Sequence, residues 1–176
     1  MANYILNTTN IAAWNVDAWN LQAVITADGA VAQPNGRLVK LANIDNTNGT
    51  LNSYRYEVAL AGAEETEPLY IIDTPEVDVY KEYAFGANPD DILNFVNPVG
   101  KTMSIRKLMQ GDVIEVGNST DYFAQAVTAT DIGTGVKTIS GGKFEVDVNG
   151  TAFVVEALNT IRVGATSVPT VLLRVL

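Results

Sequence analysis

Apolar and polar residues alternate over much of the chain with the two-residue period of a half-buried β-strand. SYRYEVALA (53–61) shows it most cleanly: Tyr54, Tyr56, Val58 and Leu60 fall on one face, Arg55, Glu57 and Ala59 on the other. LQAVITAD (21–28), GRLVKLANI (36–44), LYIID (69–73) and EVDVYKEYAF (76–85) read as further strands. Turn formers punctuate them at Asp28-Gly29, Pro34-Asn35-Gly36 and DNTNGTLN (45–52). KTMSIRKLMQGDVIEV (101–116) reads as a hairpin about Gly111-Asp112, with basic residues before the turn and acidic residues after it. KFEVDV (143–148) and TAFVVEAL (151–158) flank Asn149-Gly150, the dipeptide of a type I′ turn, and are expected to pair with each other. TIRVGA (160–165) and PTVLLRVL (169–176) close the chain as strands. Strands at this spacing with short turns predict an all-β chain, a compact antiparallel β-barrel or sandwich. The one helical signal is PDDILNFV, where Asn88-Pro89 and two acids open a turn or two over Asp90–Val96.

Residues 1–20 break the pattern. Five asparagines (Asn3, Asn7, Asn10, Asn15 and Asn20) interrupt any period, and both tryptophans, Trp14 and Trp19, lie there. The segment reads as an irregular N-terminal arm, and 21–176 as a single β-rich domain. Two large aromatic side chains in such a segment need cover. Either the arm folds back to plug a barrel end, or it anchors in a neighbouring subunit.

Charge and composition then narrow the chemistry. Lys and Arg total 11 against 20 Asp and Glu, a formal charge of −9. Displacing counterions from phosphates takes a cationic surplus that this chain lacks, so no nucleic-acid partner is expected. No apolar run approaches the roughly 20 residues that span a bilayer, and the N-terminus lacks the basic and apolar regions of a secretory signal. No membrane partner is expected either. Without that signal, the sequons at Asn7, Asn48, Asn118 and Asn149 read as Asn-rich loops. The chain has no cysteine and no histidine. Thiolate chemistry is excluded, and the usual general base near neutral pH is missing. The expectation is a protein that is not an enzyme and takes no metal and no cofactor.

Three acidic features invite a sharper reading. Between Glu57 and Asp91 lie ten carboxylates and one basic residue, Lys81, with Tyr54, Tyr56, Tyr70, Tyr80 and Tyr83 close by. This is a docking surface for a basic partner or a cation site on one reading, and a solvated face on the other. Asp45-Asn-Thr-Asn-Gly49 misses the EF-hand pattern: Gly49 stands at position 5 and Glu57 at 13, each one residue off. It reads as a hairpin loop. Adjacent pairs such as Glu64-Glu65 or Asp90-Asp91 sit on opposite strand faces or in loops, a poor arrangement for acid–base work.

Three stretches carry a family likeness. A Gly-Arg-Leu-Val-Lys-Leu strand (36–41) follows the irregular opening. In TMSIRKLMQGDVIEVGNS (102–119) a basic strand runs into Gly111-Asp112 and an apolar strand. A Gly-Lys-Phe-Glu-Val strand (142–146) precedes the apolar C-terminal strand. The last two-thirds of the chain resembles the small auxiliary capsid proteins of tailed bacteriophages, called decoration or head cement proteins. The resemblance implies a compact β-barrel or β-tulip, often with an extended arm. It implies binding to the major capsid protein, with copies of itself as further partners, and a place on the virion surface after assembly in the host cytoplasm. On this reading Trp14 and Trp19 anchor the arm, and Arg106-Lys107 dock on an acidic capsid patch or pair within the sheet. The alternatives are another virion subunit, such as a tail-tube protein, and a carbohydrate-binding or adhesin module using its aromatics as platforms.

Overall fold

The structure, a computed structural model, describes residues 20–26, 30–47, 50–65, 68–75 and 93–176. The arm with Trp14 and Trp19, the strand expected over 76–85, and Glu67, Asp90 and Asp91 of the acidic segment lie outside these residues. The chain is all-β, as its alternation predicts. The strands are β1 (Asn20–Val24), β2 (Leu38–Thr47), β3 (Thr50–Leu60), β4 (Tyr70–Ile72), β5 (Met103–Lys107), β6 (Val113–Gly117), β7 (Gly135–Ile139), β8 (Lys143–Val146), β9 (Phe153–Val163) and β10 (Thr166–Val175). Of the expected helix, Leu93 and Asn94 form a turn and residues 95–96 are irregular.

Strands β1 to β5 close a barrel in the order β1-β3-β2-β4-β5. All its pairs are antiparallel except β1 with β3, which run parallel with Ala23 opposite Tyr56. Sequence neighbours β1 and β2 are therefore not sheet neighbours, so the barrel is not an up-and-down meander. The remaining strands form a sheet in the order β6-β10-β9-β7-β8.

Strand alternation explains how the two layers meet. On β2, Val39 points into the barrel and Leu38 out of it; on β4, Tyr70 and Ile72 point in and Ile71 out. The barrel interior holds Ala23, Ile25, Val39, Val58, Tyr70, Ile72, Met103 and Ile105. The outward Leu38 and Ile71 join Ile114, Val116, Phe144, Phe153, Val155, Val171 and Leu173 of the second sheet in one larger core. Apolar burial on both sides is why β4 reads as a continuous apolar run and why β2 opens on Leu38-Val39 before its polar alternation begins. A backbone knot fastens the seam: Leu38 N–H donates to Gly142 O, Gly142 N–H to Ala61 O, and Ala61 N–H to Leu38 O. Tyr122 adds a lock, its hydroxyl donating to Asn35 O at 2.6 Å with the Arg37 guanidinium over its ring.

Two expected hairpins are not hairpins. β5 belongs to the barrel and β6 to the second sheet, so residues 108–112 carry the chain from one layer to the other. Asp112 shapes this elbow: its side chain accepts from Met109 N–H at 2.8 Å, and its own N–H donates to Met109 O. The turn chemistry of Gly111-Asp112 was legible, but a turn signal does not say whether the flanking strands pair. Likewise β8 and β9 flank Asn149-Gly150 without pairing to each other; β7 lies between them. Gly150 serves a close approach instead: a Cβ there would collide with the backbone of Val136 on β7. The two strands expected over 151–158 and 160–165 are one, β9, paired along its length with β10.

A candidate interaction surface

β2 and β3 outrun the barrel. Among the described residues, β2 pairs with β4 only at Leu38 and Val39, and β3 with β1 only at Ala23–Tyr56 and Val24–Glu57. Beyond those positions the two strands have only each other, out to the Thr47–Thr50 pair, and form a projecting two-stranded ribbon. The register slips twice along it, between Leu41 and Ile44 and between Ile44 and Asn46, and such bulges sharpen twist. Asp45, Asn46 and Thr47 of the stretch that missed the calcium pattern are thus the last residues of β2; Asn48 and Gly49 lie outside the described residues. Asp45 is buried and accepts from Arg55 Nε at 2.6 Å, while Arg55 Nη1 donates to Thr102 Oγ1 at 3.0 Å. This clamp ties the ribbon to the lead-in of β5.

The ribbon's apolar row continues the barrel interior. Val58 is buried in the barrel, Tyr56 is half-buried at its mouth, and Tyr54 is 85% exposed. Ile44, the cross-strand partner of Tyr56, is exposed as well. The same alternation that builds the core therefore runs on past the last strand that covers it. Tyr70 sits at that mouth; burial, and secondarily Tyr56, pushes its hydroxyl above the ordinary value.

β1 and β3 both enter the barrel at the ribbon's end, and β5 leaves there, with Asn20 opposite Arg106. The two basic candidates separate at this point. Arg106 is nine-tenths buried and is ion-paired to Asp73; Lys107 is half-exposed. Burial holds the Asp73 carboxyl above its ordinary range, and the neighbouring Arg106 pulls it back only in part.

The other buried carboxylates among the described residues also hold structural donors. Asp45 holds Arg55, and Asp112 holds the Met109 amide. Glu115 on β6, fully buried, accepts from Thr170 on β10 at 2.6 Å and from Asn159 on β9 at 2.9 Å, crossing three strands of the second sheet. Sequence reading missed Glu115, because a single acid in VIEVG gives no sign of what lies across the sheet. Of the acidic segment, Glu57 accepts from Thr26 and Glu65 pairs with Lys40 at 3.2 Å. Among the described residues no group of three or more Asp, Glu, His or Cys is placed to hold a metal ion, and no helix is long and apolar enough to cross a membrane.

A half-buried clamp gives a pH signature. Lys137 Nζ lies 2.7 Å from Asp147 and 3.2 Å from Glu145. The Lys137 hydrogen bond, helped by Asn149 N–H, holds the Asp147 carboxyl below its ordinary value of 3.8. A lowered folded value means stability that is present above that ordinary value and lost as pH falls through the lowered one. Asp147→Asn should therefore lose less melting temperature than the parent between pH 6 and pH 3, as read by calorimetry. An equal loss would mean the clamp contributes nothing.

Comparison with known proteins finds no match: no family model, no curated protein and no solved structure is similar to this chain.

Proposed function

We propose that the chain is a structural, non-enzymatic binding protein that docks on and stabilises a phage capsid lattice, as a decoration or cement protein. The observation that carries this reading is how the buried carboxylates are used. Asp45, Asp73, Asp112 and Glu115 each hold a donor that fixes a junction: ribbon, barrel wall, elbow and second sheet. A catalytic carboxylate is kept available to a substrate, whereas these four are spent on shape. Shape-holding suits a protein that must brace a preformed shell. The resemblance of the 36–41, 102–119 and 142–146 stretches to decoration proteins supports the same class. Docking falls to Trp14 and Trp19 of the arm, which joins the barrel at Asn20, and to Lys107 at that same end. Arg106 acts from within, through Asp73.

The test is binding of the purified full chain to capsids lacking it, followed by co-sedimentation. Saturable binding, with a Trp14→Ala/Trp19→Ala variant weaker by tenfold or more, is expected; an anchoring Trp is worth about 2 kcal/mol or more. A chain that ignores capsids but binds tail tubes or a glycan array would replace this reading with the corresponding alternative.

A further inference from the structure

We propose that the β2–β3 ribbon is a self-association surface, on which two copies of this chain bury the Ile44–Tyr54–Tyr56 row against each other about a two-fold axis. Three features of the ribbon lead there. First, the row is continuous with the barrel interior, yet among the described residues no strand packs over its outer end, where Tyr54 is 85% exposed. Tyrosine is among the residues enriched at protein interfaces. Second, an isolated two-stranded ribbon is marginal in water, and among the described residues these two strands pair only with each other beyond the barrel. This one is nonetheless held in place by the Asp45–Arg55–Thr102 clamp, which lowers the ordering cost of association.

Third, charge selects the occupant. Residues 41–56 carry only Asp45 and Arg55, which neutralise each other at 2.6 Å, in a chain whose formal charge is −9. Two such chains repel over most of their surfaces. The uncharged ribbon is a place where they approach without that cost, and it presents no charge to select an acidic or basic partner. A contact through one patch on both copies is isologous and closes as a dimer.

The area sets the strength. A tyrosine side chain buries about 150–250 Å², so two on each of two copies supply roughly 600 to 1,000 Å², less what Tyr56 already hides. That is at the low end for a specific interface, so the dimer should be weak, with a dissociation constant in the micromolar range. The proposal concerns the free protein and does not depend on the capsid reading.

Sedimentation velocity on the full chain from about 1 to 100 µM, a range matched to micromolar affinity, tests it. The wild type should shift from monomer to dimer. Tyr54→Lys and Ile44→Asp should each weaken dimerisation at least tenfold while melting like the parent. Val148→Lys, at an equally exposed valine in the turn between β8 and β9, should leave the dimer intact. A wild type that stays monomeric overturns the proposal. So do a trimer, an undiminished dimer in both ribbon variants, or loss of the dimer in Val148→Lys alone. A monomer that still binds capsids removes this inference and leaves the capsid reading standing; a ribbon-dependent dimer that ignores capsids does the reverse.

Discussion

Gly142→Ala should be among the most damaging single-methyl additions in the protein, and Gly141→Ala, one residue earlier, should be mild. Both glycines have positive φ, +82° and +66° in chain order, so both substitutions carry the left-handed strain of about 1–2 kcal/mol. Only Gly142 adds a collision. Its Cβ would meet the Leu38 carbonyl and amide, whereas a Cβ at Gly141 meets nothing within 4 Å. The obstacle is backbone, which cannot rotate aside, and it belongs to the knot through Leu38, Gly142 and Ala61 that joins the layers. Relief means breaking that knot and opening the core around Leu38. A loss of about 4 kcal/mol or more follows, the size that marks a specific mechanism. At about 2–4 °C per kcal/mol for a chain of this length, Gly142→Ala should melt at least about 8 °C below the parent. Thermal denaturation of both variants decides it: equal losses would show that the knot is not what holds the layers together.

The Asp73–Arg106 pair should show the opposite of additivity. The pair is buried, yet Arg106 uses one arm of its fork on Asp73 while Nε and Nη1 are buried without a hydrogen-bond partner. Its attraction is thus set against a large unrecovered desolvation cost, consistent with a carboxyl that burial pushes upward despite the cation beside it. Removing one partner, as in Arg106→Met, strands a buried charge and should cost about 3–5 kcal/mol. Replacing both, as in Asp73→Leu/Arg106→Met, should return the protein to within about 1 kcal/mol of the parent or above it. Urea denaturation of the four-member cycle measures this. A double variant as unstable as the sum of the singles would show that the ion pair is a net stabiliser here.

Period-two alternation made the barrel strands legible. β2, β3 and β4 were readable because each carries an apolar residue wherever a wall faces it, down to Leu38 and Val39 serving different cores. Pairing was not legible, because register partners here are far apart in sequence. Ile105 lies opposite Leu21, and Glu115 lies opposite Leu172. Gly111-Asp112 and Asn149-Gly150 show the limit concretely. Each marks a reversal of the chain, but whether the reversal closes a hairpin depends on what slots beside it, and β7 slots beside the second. β7 itself was not singled out: GVKTI is short, and only its contacts with Phe144 and Phe153 neighbours make Val136 core. Of the candidate site residues, Lys107 stands half-exposed at the ribbon end. Arg106 is buried on the outer face of the barrel, opposite Ile71, where Asp73, 33 residues away, offers it a buried partner. The ribbon's exposed row was visible as alternation in SYRYEVALA, but alternation alone marks which residues share a face and not where the covering layer stops.

The place of β10 in its sheet bears on biosynthesis. It lies between β6 and β9, so the strand made after all its neighbours is the one that joins them. During translation the β2–β3 and β7–β8 hairpins can form from local sequence as they emerge, but β6 has no sheet partner until β10 leaves the ribosome. A nascent or prematurely released chain therefore exposes the apolar sides of Ile114 and Val116, and offers them to chaperones, proteases or other unfinished chains. Completion of the second layer therefore waits on β10: chains that stop short of that strand are left recognisable as unfinished.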